Sequence, residues 1–142
     1  MIYKLDSKPD ITINKLGDIW LNSNIKSHNF IDKSYWINNY ENVLEAFKDS
    51  EIIVYKSEGE ILGFCGLTDD YIAGMFVEEN ERGKGVGKDL MQYIQNDKDT
   101  LFLNVYKNNS KAIYFYKNHN FKIVDENTDE TGNKEYKMTW TK

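Results

Sequence analysis

The hydrophobic positions near the start of the chain recur mainly at helical spacing. A short run at Ile2–Asp6 has the length of an edge strand. Apolar residues from Ile13 to Trp20 then repeat every three or four positions, residues 22–31 are polar and break that period, and apolar residues from Trp36 to Phe47 mark one face of a second helix. The pattern therefore predicts one strand followed by two helices.

The middle of the chain indicates three strands in succession. Residues 52–56 and 61–67 are apolar runs of strand length, and 71–77 is a third. The first two flank Ser57–Glu60, in which Gly59 can adopt the positive φ that a tight hairpin turn needs. We expect these strands to form a meander.

The second half alternates helices with strands. Val86, Leu90 and Ile94 repeat at helical spacing, and Ser110 is a suitable N-cap for a further helix. The remaining predictions are a strand at 101–105, that helix at 112–118, and a closing hairpin of 121–124 and 136–140 around a turn at 128–133.

Together these elements give the order β-αα-βββ-α-β-α-ββ. A meander followed by crossover units predicts an α/β fold, with a mixed sheet covered by helices on both faces. No repeat or Pro/Gly/Ser linker interrupts the 142 residues, so we expect a single domain over 1–142. The pattern carries no signal of oligomeric state.

Composition and charge narrow the function classes. The net charge of −5 argues against nucleic-acid binding, and no apolar run has the length of a signal peptide or a membrane span. One cysteine, Cys65, and two histidines suit a reducing compartment and make a metal site improbable. We expect a cytoplasmic protein with no metal and no membrane partner. All but one of the 18 basic residues are lysine, and the exception is Arg82.

Arg82 lies in a glycine-rich turn between a predicted strand and a predicted helix. Glycines at 83, 85 and 87 leave the backbone open, while Arg82, Lys84 and Lys88 supply positive charge. Unpaired amides at a helix N-terminus attract anions, so this turn has what a pyrophosphate needs. Taken alone, the same residues fit a flexible surface turn equally well.

Two other phosphate motifs fit this turn less well. A P-loop requires four residues between its first glycine and Gly-Lys-Ser/Thr, whereas three separate Gly83 from Gly87, and Asp89 replaces the hydroxyl. A dinucleotide fingerprint starting at Gly85 would end on Leu90 instead of glycine. Neither motif explains the turn.

The turn does resemble the coenzyme A loop of the GNAT superfamily of N-acetyltransferases, Gln/Arg-x-x-Gly-x-Gly/Ala, which Arg82 to Gly87 match at every fixed position. A second stretch, Asn109-x-x-Ala112-x-x-x-Tyr116-x-x-x-Asn120-Phe121, is similar to another GNAT motif, with Asn120 in place of a glycine. Asparagine tolerates left-handed backbone geometry, so we expect the helix end to survive.

The resemblance implies a fold and a cosubstrate. The fold would be a mostly antiparallel sheet of about six to seven strands flanked by four helices, and the cosubstrate would be acetyl-coenzyme A. Tyr116 would act as the general acid for the leaving thiolate. The residues implied in cosubstrate binding are Met75, Phe76, Val77, Arg82, Gly83, Lys84, Gly85, Val86, Gly87, Lys88, Asn109 and Tyr116.

The acceptor would be a primary amine of a small molecule or a peptide, attacking directly in a ternary complex. The alternative function is a non-catalytic acyl-coenzyme A sensor, against which the presence of Tyr116 argues. His28 and Tyr35 are candidates for acceptor binding, because the segment between the first two helices borders the acceptor site in GNAT proteins. For His28 the competing interpretation is a solvated loop histidine.

Tyr71 and Asn104 occupy the two positions at which many GNAT enzymes carry a glutamate base. Since neither is a carboxylate, we expect deprotonation of the acceptor through a water held by Tyr71 or Asn104, or in bulk solvent. The acidic limb of the pH profile would then follow the pKa of the acceptor's own amine. Asp70 is the nearby carboxylate, and strand alternation turns it away from Tyr71.

Overall fold

The computed structural model describes residues 1–142 and contains one seven-stranded sheet in the order β1-β2-β3-β4-β5-β7-β6. Every neighbouring pair is antiparallel except β4 and β5, which run parallel. The strands are β1 Ile2–Lys4, β2 Glu51–Ser57, β3 Glu60–Thr68, β4 Tyr71–Val77, β5 Thr100–Tyr106, β6 Lys122–Thr128 and β7 Lys134–Thr141. The helices are α1 Asp10–Ser27, α2 Lys33–Asp49, α3 Val86–Asp97 and α4 Ser110–Asn118. The predicted α/β fold is confirmed.

Two apolar clusters hold the helices on opposite faces of the sheet. Successive side chains of a strand alternate between faces, so Ile52 and Val54 of β2 face α1 and α2, while Ile53 between them belongs to the cluster under α3 and α4. Each face of the sheet is thereby buried by one pair of helices. No helix combines the length and the apolar character needed to cross a bilayer.

The first helix is longer than its hydrophobic period indicates. The prediction that the period breaks at residue 22 is wrong for the helix end, because α1 continues to Ser27. Ser23 and Asn24 lie buried in this last part, and the Asn24 side-chain amide donates to the Trp20 carbonyl at 2.9 Å. The Ser23 hydroxyl donates to the Val77 carbonyl of β4 at 3.4 Å. Buried polar residues with hydrogen-bond partners thus extend the helix without an apolar signal.

The start of α4 also differs from the prediction. Asn109, and not Ser110, is the N-cap: its Oδ1 accepts from the Ala112 amide at 3.2 Å, and Ser110 is the first helical residue. The other end of α4 agrees with the expectation, since Asn120 has φ 70° and occupies the left-handed region. The last helix is therefore bounded by the two asparagines of the second motif.

Candidate active site

A cleft opens where β4 and β5 separate. The two strands pair only at Tyr71 with Phe102 and at Ile72 with Leu103. On its other side β4 pairs with β3, where Gly66 is opposite Gly74 and Leu67 is opposite Ile72. Ala73 therefore has no partner in β3 and forms a bulge. Such a bulge bends the strand that carries it, so 73–77 diverge from β5.

Two backbone amides of β4 face this cleft. The Glu78 amide donates to the Leu62 carbonyl of β3 at 2.8 Å. Because amides alternate in direction along a strand, those of Met75 and Val77 point away from β3, toward the cleft. The Phe76 ring packs on Phe64 at 5.3 Å in the cluster under α1 and α2. Met75 and Val77 therefore present main-chain donors at the cleft edge.

The glycine-rich turn lies between β4 and α3. Gly83 has φ 79° and Gly85, the N-cap of α3, has φ 90°, a region that L side chains rarely adopt. A Cβ at either position would meet nothing within 4 Å, so the space above the turn is open. None of the backbone amides from Gly83 to Lys88 donates a well-formed hydrogen bond within the protein. The turn is thus a row of free donors.

Two of the three cations in this turn have no ionic partner. Arg82 and Lys88 are exposed and form no salt bridge, whereas Lys84 lies 3.5 Å from Glu81. The turn is anchored beneath by Val86, which is buried, and by Gly87, whose Cβ position lies 3.5 Å from the Phe115 ring of α4. Free amides and unpaired positive charge suit a bound anion.

Tyr116 is buried on α4 with 8% of its surface exposed. Its ring contacts Phe121 edge-on, while its hydroxyl forms no hydrogen bond within the protein and is not among the fully enclosed polar atoms. Burial, and secondarily the neighbouring Cys65 and Tyr71, raises the pKa of the Tyr116 hydroxyl above its ordinary value. The hydroxyl keeps its proton at neutral pH and is free to donate it.

Tyr71 lies at the point where β4 leaves β5. Its ring packs on Phe102 at 5.2 Å, and burial raises the pKa of its hydroxyl, an effect that the neighbouring Asn104 side chain partly offsets. The structure thus brings Tyr71 and Asn104 together. Asp70 instead accepts from the Thr100 hydroxyl at 2.9 Å, in the turn that precedes β4.

His28 is joined to the second motif and is half-buried. Asn109 uses Oδ1 for its capping bond, and its Nδ2 lies 3.0 Å from His28 Nε2. The imidazole stacks on Trp36 at 5.3 Å, and burial lowers its pKa to about 4, opposed in part by the Asn24 backbone. His28 is therefore neutral at pH 7, and its Nε2 accepts a hydrogen bond from the Asn109 side-chain amide.

The start of α2 is tied to the turn between β6 and β7. The Tyr35 hydroxyl donates to Glu130 at 2.5 Å, and the Tyr106 hydroxyl donates to Asp129 in the same turn. The sequence candidate Tyr35 is thus engaged with a carboxylate, on the side of the sheet that also carries His28 and Tyr106.

Sequence reasoning missed Glu135 on β7. This residue pairs in register with Tyr106 of β5 and is half-buried. The signal was present in the alternation of Tyr136, Met138 and Trp140, which leaves 135, 137 and 139 for the other face. No three metal-ligating side chains are grouped to hold an ion.

The fold and this site define an acetyltransferase. The model of the acetyltransferase (GNAT) domain matches residues 48–123, so the chain belongs to the GNAT family, and it is an N-acetyltransferase, as predicted. Acetyl-coenzyme A is the cosubstrate of GNAT acetyltransferases. The chain is similar to the peptidyl-lysine N-acetyltransferase YiaC of Escherichia coli. The two sequences are 36% identical over 126 residues, which cover 87% of this chain and 86% of YiaC.

Solved structures agree with the fold. The apo form of YjaB from Escherichia coli superposes with a TM-score of 0.83 at 23% identity, covering 99% of this chain and 97% of YjaB. The aminoglycoside 6′-N-acetyltransferase from Enterococcus faecium gives a TM-score of 0.75 at 14% identity, over 99% and 96% of the two chains. At these identities the likeness concerns the fold alone.

Proposed function

We propose that this N-acetyltransferase transfers the acetyl group of acetyl-coenzyme A to the ε-amine of lysine in a protein or peptide. The observation that carries the proposal is the cleft between β4 and β5, which leads from Tyr71 and Tyr116 to the free amides of the glycine-rich turn. Similarity to YiaC, named a peptidyl-lysine N-acetyltransferase, supports this acceptor class. Acetyl-coenzyme A supplies the activated thioester.

The residues of the turn fit the pyrophosphate of this cosubstrate. The amides from Gly83 to Lys88 would donate to the phosphate oxygens, and Arg82 and Lys88 would balance their charge, since neither cation has another partner. The Val77 amide would hold the pantetheine arm. The Met75 amide would donate to the acetyl oxygen and stabilise the negative charge that develops there.

Tyr116 is the proposed general acid. Its hydroxyl is protonated at neutral pH and has no partner within the protein, so it can donate its proton to the sulfur as the thiolate leaves. Tyr71 and Asn104 would orient the incoming amine and its water. Acid and acceptor would thereby approach the thioester from different directions.

Asn109, His28 and Tyr35 would act by shaping the site. The two side-chain groups of Asn109 are committed to Ala112 and to His28, so Asn109 would fix the first turn of α4, which carries Tyr116. His28 would bind the segment between α1 and α2 to this cap. Tyr35, held by Glu130, would border the path of the acceptor.

The experiment uses three matched peptides and measures thiol release together with product mass. One peptide has a free lysine ε-amine and a blocked N-terminus, the second has a free N-terminus and a blocked lysine, and the third is blocked at both. We expect transfer to the first alone. Transfer to the second alone, or to none of them while calorimetry shows acetyl-coenzyme A binding, would contradict the proposed acceptor.

A further inference from the structure

One face of the sheet carries a row of polar side chains from the cleft toward β7. Asn104 of β5 is opposite Lys137 of β7, and Tyr106 is opposite Glu135. Glu135 is therefore the diagonal neighbour of Asn104, at a separation of about 7–8 Å for such positions. Lys137 extends toward Phe102, with its Nζ 5.0 Å from the centre of the ring.

Glu135 is the carboxylate of this region that has no partner. Asp129 accepts from Tyr106 and Thr131, and Glu130 accepts from Tyr35. Glu126 of β6 lies in salt bridges with Lys107 and Lys134. Glu135 forms no salt bridge and no side-chain hydrogen bond, although it is half-buried. A carboxylate that loses water without gaining a partner is poised for a cationic ligand.

We propose that Glu135 is a catalytic residue, whose carboxylate receives the acceptor's ammonium group between β5 and β7 and takes a proton from it. This inference rests on the proposed lysine acetylation and replaces bulk solvent as the destination of that proton. An exposed lysine amine is almost entirely protonated at pH 7 and cannot attack until one proton leaves. The carboxylate binds the cation first and then converts it to the nucleophile.

The proton balance follows from these positions. Glu135 takes one proton from the ammonium, and the neutral amine forms a C–N bond to the acetyl carbon. The C–S bond then breaks, with its electron pair on sulfur, and Tyr116 gives its proton to the thiolate. The nitrogen that has attacked is positively charged and loses one further proton, which passes through solvent to the Tyr116 tyrosinate. The Glu135 carboxyl then releases its proton to water. The products are an amide, a thiol and one proton.

The surroundings of Glu135 make its carboxyl more basic than an exposed one. Burial, and secondarily the charge of Asp129, raises the pKa of the Glu135 carboxyl above its ordinary value. The other groups that face it are Tyr71 of β4, Tyr106 of β5, Tyr35 of α2, Glu130 of the turn and Lys137 of β7. Activity then rises with pH as Glu135 ionises.

The test is the pH profile of kcat/KM for a lysine peptide and for the same peptide with the less basic S-aminoethylcysteine. In the wild-type protein we expect the acidic limb at the same pH for both acceptors. In Glu135→Gln we expect kcat/KM at pH 7 to fall about 10²-fold, as for loss of one acid–base group, and the remaining limb to move with the amine pKa. Glu126→Gln, on the neighbouring strand, is the control and should keep the wild-type profile.

Two results would overturn the proposal. One is a wild-type limb that shifts with the pKa of the acceptor amine, and the other is undiminished kcat/KM in Glu135→Gln. Unchanged acetyl-coenzyme A affinity and melting temperature in this variant separate loss of the base from loss of structure. An inactive wild-type protein would refute the acceptor class itself, whereas an active wild type with either result refutes only the role of Glu135.

Discussion

The residues proposed for acid–base catalysis share one feature: their polar atoms have no hydrogen-bond partner within the protein. Tyr116 is buried and Glu135 is half-buried, and neither side chain has a hydrogen-bond partner within the protein, whereas Asn109 has both of its groups engaged. Buried polar groups are normally paired within the protein. An unpaired hydroxyl and an unpaired carboxylate beside one cleft are what an enzyme needs for a transient partner.

Removal of the Tyr116 hydroxyl tests the proposed acid. Tyr116→Phe should lower kcat by about 10²-fold and leave the dissociation constant of acetyl-coenzyme A unchanged, because the hydroxyl acts on the leaving sulfur and not on the bound phosphates. Tyr114→Phe, on the same helix with 70% of its side chain exposed, is the matched control. Thiol release measures kcat and calorimetry the affinity; equal turnover in the two variants would assign the proton to another group.

His28 makes a prediction about stability and pH. Its folded pKa of about 4 lies below the unfolded value of 6.5, so between these values the unfolded chain binds the extra proton. The contribution of His28 to the free energy of unfolding should therefore fall as pH drops below 6.5 and level off below 4. His28→Gln, which keeps an acceptor for Asn109, should show a smaller fall between pH 6.5 and 5 in denaturant titrations. Parallel curves for the two proteins would contradict the neutral, buried imidazole.

Among the elements, the turn between β4 and α3 has the most exact backbone requirement. Gly85 holds a positive φ and its amide is unbonded, so the amide would be available to the proposed ligand. The same positive φ occurs at Gly59 in the hairpin between β2 and β3, also with open space around it. Gly59 lies away from the proposed pyrophosphate site, whereas Gly85 belongs to it.

This pair gives a matched substitution. Gly85→Ala and Gly59→Ala should each destabilise the fold by about 1–2 kcal/mol, the cost of left-handed geometry for an L-residue. Only Gly85→Ala should also weaken acetyl-coenzyme A binding, by about tenfold or more, because the added methyl group would enter the open space over the turn and obstruct the approach of a phosphate to the amides, and one charge-assisted hydrogen bond is worth about 1.5–3 kcal/mol. Thermal melting and calorimetry give the two quantities; equal affinities in both variants would exclude the turn as the pyrophosphate site.

The elements also show how far sequence patterns reach. The sequence patterns predicted all four helices and the order of the helices and strands along the chain, because each pattern is local. The last turns of α1 and the length of β6 were not predictable in this way: Ser23 and Asn24 are polar yet buried, and every residue of β6 is exposed, so its pattern has no apolar face.

At the scale of the whole molecule, the candidate site combines local and distant parts. The glycine-rich turn and Tyr116 belong to motifs that the sequence displays within a few residues. Glu135 lies beside Tyr106 only through the pairing of β5 with β7, and His28 meets Asn109 across 81 positions of the chain. A local pattern cannot reveal such neighbours, since the folded sheet alone brings them together.

The central claim is that the cleft between β4 and β5 binds acetyl-coenzyme A through main-chain amides that have no partner in the protein. Titration of the isotope-labelled protein with acetyl-coenzyme A, followed through its backbone amide NMR signals, tests this directly. We expect the largest changes at Met75, at Val77 and at 83–88, where free donors would acquire phosphate or carbonyl acceptors. Saturable binding that leaves these amides unchanged and perturbs another surface would contradict it.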